Sequence, residues 1–304
     1  MIEQSRIKRL HFVGIGGAGM SGIAEVLFNM GFSVRGSDIA ENDTVRRLRT
    51  LGVPVAIGHR AENLSDAEAL IYSSAIDATN PEVATALARK LPVLPRAEML
   101  AELMRMKFAL AIAGTHGKTT TTSMLARILT YARLDPTYVV GGRVKIGETG
   151  AALGSSRFLV AEADESDGSF LRLLPTIAVI TNIENDHLDH YKSMTRLTRA
   201  FAEFADHVPF YGAVVLHTGC ARVQKIVPAI HKRVITCGRR SGNNFVARNA
   251  RVTPFSARFE LVVEGQSAGW VELPIGGSTT STTPCAPSPP PARPASPWPP
   301  RSPR

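Results

Sequence analysis

Leu110-Ala-Ile-Ala-Gly-Thr-His-Gly-Lys-Thr-Thr-Thr-Thr122 runs from an apolar segment into glycine, lysine and a string of hydroxyls. Such a stretch reads as a phosphate-binding loop. Gly114 and Gly117 let backbone N–H groups turn toward an anion, and a helix starting near Lys118 adds the positive end of its dipole. Lys118 is placed to neutralise β- or γ-phosphate charge, and the Thr119 hydroxyl to ligate Mg2+. The common form of the loop carries glycine five residues before Gly117; that position is Ile112, so the loop is shorter and rests on Gly114. The alternative is an ordinary strand, turn and helix with an incidental Gly-Lys-Thr.

A second glycine loop lies upstream. The apolar run Arg9 to Ile15 leads into Gly14-Ile-Gly-Gly-Ala-Gly19, a G-x-G-x-x-G pattern, and Met20 to Met30 carries apolar residues at helical spacing. The strand Ser33 to Asp38 ends in an acid nineteen residues past Gly19, where a carboxylate that binds ribose sits in dinucleotide folds. Dinucleotide, other diphosphate and bare βα turn all remain open on this pattern. Thr44 to Leu51 as helix, Val53 to Ile57 as strand, Ala69 to Ser74 as strand and Pro81 to Arg89 as helix continue an alternation that implies a parallel, doubly wound α/β sheet. Ser73 and Ser74 fall at the carboxyl end of a strand, where ligands of such sheets collect, or else cap a helix. Gly58-His59, with Glu62 and Asn63, is equally ambiguous, since a lone histidine near an acid usually lies at the surface.

Downstream, Ala97 to Met106 reads as a connecting helix and Thr119 to Tyr131 as the helix after the phosphate loop. The strand Arg157 to Ala161 opens into Glu162-Ala-Asp-Glu-Ser-Asp167, acids placed to hold Mg2+ beside a phosphate loop. A further strand, Ile177 to Asn182, leads to Asn185-Asp-His-Leu-Asp-His190, where His187 is the better candidate ligand and a charged helix cap the alternative. Thr195 to Val208 as helix, Ala213 to Leu216 as strand and a hairpin over Thr253 to Glu264 and Gly269 to Leu273 follow. Phe255, Ala257, Phe259 and Leu261 are expected on one face of that hairpin.

The 304 residues are 44% hydrophobic and 20% charged, enough for two domains with cores of their own. No stretch has the apolar length of a membrane span, and the basic start lacks a signal-peptide cleavage pattern, so a cytoplasmic protein with no membrane partner is expected. Cys220, Cys237 and Cys285 are scattered and odd in number, which implies neither a disulfide framework nor a CxxC metal site. The net charge is +9, but Arg293, Arg301 and Arg304 belong to the C-terminal tail; without them 32 basic residues face 26 acidic ones, a balance that suits anionic phosphate ligands as well as a polynucleotide, and no nucleic-acid partner is expected.

Five blocks together resemble the Mur ligase family: His11 to Ala24, Tyr72 to Ile76, Gly114 to Thr120, Glu162 to Phe170 and Thr181 to Tyr191. The first block is similar to the members that add L-alanine to UDP-N-acetylmuramate and differs from the murein-peptide ligases. The resemblance implies a Rossmann-like domain over residues 1–103 that binds UDP instead of NAD, with Gly16, Gly17, Gly19, Asp38, Ser73 and Ser74 as UDP contacts. It implies a central P-loop α/β domain over residues 104–277 that binds ATP through Gly114, Thr115, His116, Gly117, Lys118, Thr119 and Thr120. Lys118, Glu162 and His187 are the implied catalytic residues; Thr119 and Glu162 would hold one Mg2+, and His187 would help hold a second. The implied chemistry is ATP-driven amide synthesis through an acyl phosphate, with UDP-N-acetylmuramate and L-alanine as substrates and oligomeric state left unset.

The resemblance implies a third domain as well, which is expected to be missing here. After Gly277 the chain turns to Ser, Thr and Pro, and ten of its 20 prolines lie in residues 278–304, a composition expected to be disordered. Back-translated from Gly277 with synonymous codons chosen to suit, and read from the last base of the first codon, this tail gives Glu-His-Asn-Val-Tyr-Asn-Ala-Leu-Arg-Ala-Leu-Ala. That string resembles the family's His-Asn-x-x-Asn helix, which predicts a frame change that sequencing the gene would reveal. On this reading the fold up to residue 277 is retained, the central domain lacks its closing helix, and turnover is impaired. The competing functions are a fragment that binds UDP-sugar and ATP without joining them, and a dehydrogenase, which leaves the second loop unexplained.

Overall fold

The apolar segment Arg9–Val13 (β1) is buried from Leu10 onward and pairs in parallel with Ser33–Asp38 (β2) on one side and Ala69–Tyr72 (β4) on the other. Val55–Ile57 (β3) and Val93–Pro95 (β5) complete a five-stranded parallel sheet of order β3-β2-β1-β4-β5. This is a computed structural model, and it describes residues 7–140 and 150–274; the proline-rich tail and its expected frame change lie outside the described residues. Four helices cross between the strands: Ala18–Asn29 (α1), Asp43–Thr50 (α2), Pro81–Ala88 (α3) and Arg96–Arg105 (α4). Local chemistry fixes their starts. The Asn42 side chain accepts from Val45 N, and Asn80 accepts from Glu82 N with Pro81 at the first helical position. Strand order reverses between β1 and β4, so the ligand crevice of this sheet opens just beyond Val13 and Tyr72.

The second sheet is built around Phe108–Ala113 (β6), which pairs in parallel with Phe158–Glu162 (β9) and Ile177–Ile180 (β10). Beyond β9 lie Thr137–Val139 (β7) and the antiparallel Ala151–Ala152 (β8). Beyond β10 lie Ala213–His217 (β11) and Val234–Gly238 (β12), both parallel. An antiparallel meander of Phe245–Val252 (β13), Ser256–Val263 (β14) and Gln266–Pro274 (β15) extends that edge. The expected hairpin is thus β14 and β15, with β13 as an added third strand. Ala257 and Phe259 face inward as expected, but Phe255 is 80% exposed. Its N–H donates to Thr253 Oγ1, as does that of Ser256, so the residue belongs to the β13–β14 turn.

Lys118–Tyr131 (α5) follows β6, while Leu188–Tyr191 (α6), Met194–Asp206 (α7) and Ala221–Ile226 (α8) come after β10 and β11. Phe201 and Phe204 of α7 are fully buried against Phe170, with ring centroids 5.3 and 5.1 Å from it. On the α5 side, a groove of about 300 Å³ is lined by half-buried apolar residues of successive strands, among them Leu110, Val179, Val215 and Ile235. The two sheets share one apolar core, to which α4 contributes Leu100, Leu103 and Met104 and β6 contributes Ala109 and Ala111. Helix α1 also meets the second sheet: a Cβ on Gly22 would lie 2.9 Å from that of Ala151.

Candidate active site

The first glycine loop turns at Gly14, whose φ of +76° places it in the left-handed region. Gly16 N–H donates to Asp38 Oδ2 at 2.8 Å, and a Cβ on Gly16 would lie within 2.9 Å of Asp38, Asn42 and Val45 side chains. Asp38 Oδ1 accepts a long contact of 3.5 Å from Ala40 N. Gly17 is the exposed N-cap of α1 and offers no side-chain cap, so the helix's first N–H groups stay open to an anion. Over Gly19 lies Arg96, whose Nη1 would be 2.9 Å from a Cβ there. Ser73 N–H donates to Val13 O at 3.1 Å, with Ser73 half-buried and Ser74 exposed. The structure therefore gathers Gly16, Gly17, Gly19, Asp38, Ser73 and Ser74 at the crevice and adds Arg96, a cation that spacing alone did not single out.

Behind this crevice His59 is not a surface residue. Its side chain is 13% exposed, and Nδ1 lies 3.0 Å from Ser37 Oγ. Ser37 Oγ donates to Glu82 Oε2 at 2.5 Å, His11 Nε2 lies 3.0 Å from the same oxygen, and Asn63 Nδ2 donates to Oε1. Burial pushes the Glu82 carboxyl up, but hydrogen bonds from His11, Ser37 and Asn63 outweigh it and hold the group at about 2. A buried carboxylate thus ties β1, β2, the segment after β3 and α3 together directly under the loop.

The second loop is stitched to the end of β10. Thr115 N–H donates to Asn182 O at 3.2 Å, His116 N–H to Asn182 Oδ1 at 2.8 Å, and Asn182 Nδ2 donates back to His116 O at 2.9 Å. Thr181 Oγ1 contacts Ala113 O and His116 O at 3.2 and 2.8 Å, and Glu184 N–H donates to Thr115 Oγ1. Gly114 has φ +133°, and a Cβ there would lie 2.1 Å from Thr181 Oγ1. Ile112 is fully buried in the strand opposite Glu162, so the glycine-free start of the loop belongs to the sheet. Gly117, at φ +83°, caps α5 without a side-chain bond, and Thr119 and Thr120 stand exposed on its first turn. His116 is exposed as well, 3.6 Å from Glu184.

Lys118 reaches back into the loop. Its Nζ donates to Gly114 O at 2.9 Å and to Glu165 Oε1 and Oε2 at 3.0 and 2.8 Å. The Glu165 side chain is 1% exposed, and burial raises its pKa against the pull of Lys118. His187, in a left-handed conformation at φ +55°, brings Nε2 to 3.8 Å from Glu165 Oε1. Tyr191 OH donates to Glu165 O at 2.6 Å; burial, then the charges of Glu165, Asp167 and Asp164, push that phenol up. Sequence reading named Lys118, Glu162 and His187 but not Glu165, which is the carboxylate that Lys118 and His187 both approach.

Among the described residues no group of three or more His, Cys, Asp and Glu side chains is gathered to hold a metal ion. Mg2+ takes several ligands from water and phosphate and needs only one or two carboxylates from the protein. The donor set fits that requirement: Glu162 is the last residue of β9, beside the strand that leads into the loop, and Thr119 adds a hydroxyl on the first turn of α5.

Two family models match in succession, the Mur ligase family catalytic domain over residues 9–108 and the Mur ligase middle domain over residues 112–281. The chain is 51% identical over 273 residues to the UDP-N-acetylmuramate–L-alanine ligase of Trichlorobacter lovleyi, covering 90% of this chain and 60% of that one. It is 52% identical over 261 residues to the ligase of the same name from Myxococcus xanthus, covering 86% and 55%. The chain thus spans about 60% of the length of the curated relatives it matches. Among solved structures, UDP-N-acetylmuramate-alanine ligase from Thermotoga maritima superposes with a TM-score of 0.75 at 29% identity, covering 88% of this chain and 61% of that one. UDP-N-acetylmuramate:L-alanyl-gamma-D-glutamyl-meso-diaminopimelate ligase from Neisseria meningitides gives 0.78 at 28%, covering 89% of each. With these matches laid over both sheets and both loops, the chain belongs to the Mur ligase family.

Proposed function

We propose that this chain serves the ATP-dependent joining of L-alanine to UDP-N-acetylmuramate, a cytoplasmic reaction that uses Mg2+. The observation that carries the reading is the presence of two anion-ready loops, each at the carboxyl edge of its own parallel sheet and both edges built on one core. On this reading residues 1–103 hold the UDP end, with Gly16, Gly17 and Gly19 keeping the loop close to the diphosphate at the start of α1, Asp38 accepting from ribose, and Ser73 and Ser74 as further contacts. Residues 104–277 hold ATP, with the segment from Gly114 to Thr120 wrapped around its phosphates. Among the described residues no helix is long and apolar enough to cross a membrane.

The chemistry asks for positioning and charge neutralisation more than for a protein nucleophile. The muramyl carboxylate attacks the γ-phosphorus, the bond from that phosphorus to ADP breaks, and an acyl phosphate forms. The alanine amine then adds to the acyl carbon, loses a proton, and phosphate leaves. Lys118 places its ammonium on the migrating charge, and Thr119, Glu162 and His187 are the residues that would hold metal. Bound there, Mg2+ would supply positive charge to offset the charge that develops on the transferring phosphoryl group.

The similarity to the Neisseria meningitides ligase favours one other reading, a peptide in place of alanine as the amine. Incubating the full chain with MgATP, UDP-N-acetylmuramate and either L-alanine or L-alanyl-gamma-D-glutamyl-meso-diaminopimelate, with mass spectrometry of the UDP-sugar, separates the two. A mass gain with alanine supports the proposal; a gain with the peptide alone replaces it.

A further inference from the structure

An ammonium group has three N–H donors. In Lys118 one goes to Gly114 O and two reach the two oxygens of Glu165, so none is left for a ligand. The pair is also nearly withdrawn from water, with side-chain exposures of 17% and 1%, so the Lys118 charge is offset where it would otherwise attract phosphate. Glu165 itself is held from behind by the 2.6 Å bond from Tyr191 OH to its carbonyl oxygen. His187 Nε2 lies 3.8 Å from Oε1. The other ionisable side chains between Glu162 and Asp167 are also acidic, with Asp164 close enough to Glu165 to act on it and Arg96 close enough to act on Asp167, so acidic charge beside the lysine disfavours a bare polyphosphate.

Resting on the reading of this loop as the ATP site, we propose that Glu165 is its gate. By occupying Lys118 it refuses an uncomplexed polyphosphate, and it yields the lysine to a polyphosphate already neutralised by a divalent cation. Glu165 acts through Lys118 and is a positioning residue; the geometry makes it the element that renders nucleotide binding metal-dependent.

The test is calorimetric binding of ATP and of inorganic tripolyphosphate to the full chain, each in EDTA and in Mg2+. Wild type is expected to favour the magnesium complexes strongly. Glu165→Gln is expected to tighten metal-free binding by about tenfold and to change binding of the magnesium complex far less, so the ratio between them shrinks. Adding Lys118→Ala to Glu165→Gln is expected to erase the gain, because the gain works through the freed ammonium. A merely structural role for Glu165 weakens both forms alike. An unchanged ratio, or weaker metal-free binding in Glu165→Gln, overturns the gate while leaving the ATP site intact; wild type that binds neither ligand in either condition overturns the loop reading itself. If Glu165→Gln does not fold, Glu165→Asp draws the same charge back by about 1.5 Å, one carbon–carbon bond. It should shift the ratio the same way by a smaller factor, and no shift in it overturns the gate.

Discussion

Gly114→Ala is the sharpest single perturbation of the second loop. A side chain at φ +133° sits in a region used almost only by glycine, at a cost of about 1–3 kcal/mol. The new Cβ also meets Thr181 Oγ1 at 2.1 Å and the backbone of Asn182 at 3.0 Å. Thr181 does not simply swing aside, since its single hydroxyl proton is shared between Ala113 O and His116 O; displacing it forfeits roughly 1 kcal/mol. Together these contributions come to about 2–4 kcal/mol, a large share of the ~5–15 kcal/mol that stabilises an ordinary domain. Differential scanning calorimetry of wild type and variant should show a fall in Tm of roughly 10 °C, with loss of nucleotide binding. Thr181→Ala added to Gly114→Ala should recover about 1 kcal/mol relative to additivity, because the closest collision is removed. A Gly114→Ala protein within about 2 °C of wild type that still binds nucleotide would refute the locked-loop geometry.

The remaining predictions concern the other sheet and the groove. Glu82 titrates at about 2 in the fold against 4.5 in the open chain, so its stabilisation is fully present above pH 4.5 and is lost as pH falls toward 2. The loss amounts to about 3 kcal/mol in all; urea unfolding at pH 6 and pH 3 should show wild type losing much of it and Glu82→Gln losing correspondingly less, and identical pH slopes would contradict this assignment. Gly16→Ala drives a Cβ into Asp38, Asn42 and Val45 and is expected to weaken UDP-N-acetylmuramate binding about tenfold or more while sparing ATP; calorimetry showing equal loss of both ligands would argue for global damage instead. The half-buried stripe of Leu110, Val179, Val215 and Ile235 should take up an apolar dye such as anilinonaphthalene sulfonate in the native state. Ile235→Lys should lower that fluorescence, and no change would place the dye elsewhere.

Both parallel sheets were legible because strands such as Arg9–Val13 and Phe108–Ala113 are apolar runs that stop at glycine, followed by helices with apolar spacing. The strands that escaped notice are mostly the short ones: Val93–Pro95, Thr137–Val139 and Ala151–Ala152 are too brief to show a period. Val234–Gly238, which ends in Thr-Cys-Gly, escaped as well, and Phe245–Val252 escaped for another reason, since Arg248 and Asn249 interrupt its alternation at a register shift. In the site, Gly114, Lys118 and Glu162 announce themselves by type and position. Glu165 does not: it is one of four acids within Glu162 to Asp167, and only the turn after β9 decides that it points inward while Asp167 stays exposed. The Glu82 network was invisible for a simpler reason, its partners His11, Ser37 and Asn63 being 71, 45 and 19 residues away along the chain.

The central claim is that the two loops are separate seats for two different phosphate ligands. Its most direct test is titration of UDP-N-acetylmuramate into the full chain, first free and then saturated with MgATP. One site is expected for each ligand, with UDP-N-acetylmuramate binding at undiminished stoichiometry in the presence of MgATP and Lys118→Ala abolishing only the ATP heat. Mutual displacement of the two ligands from a single site would contradict it.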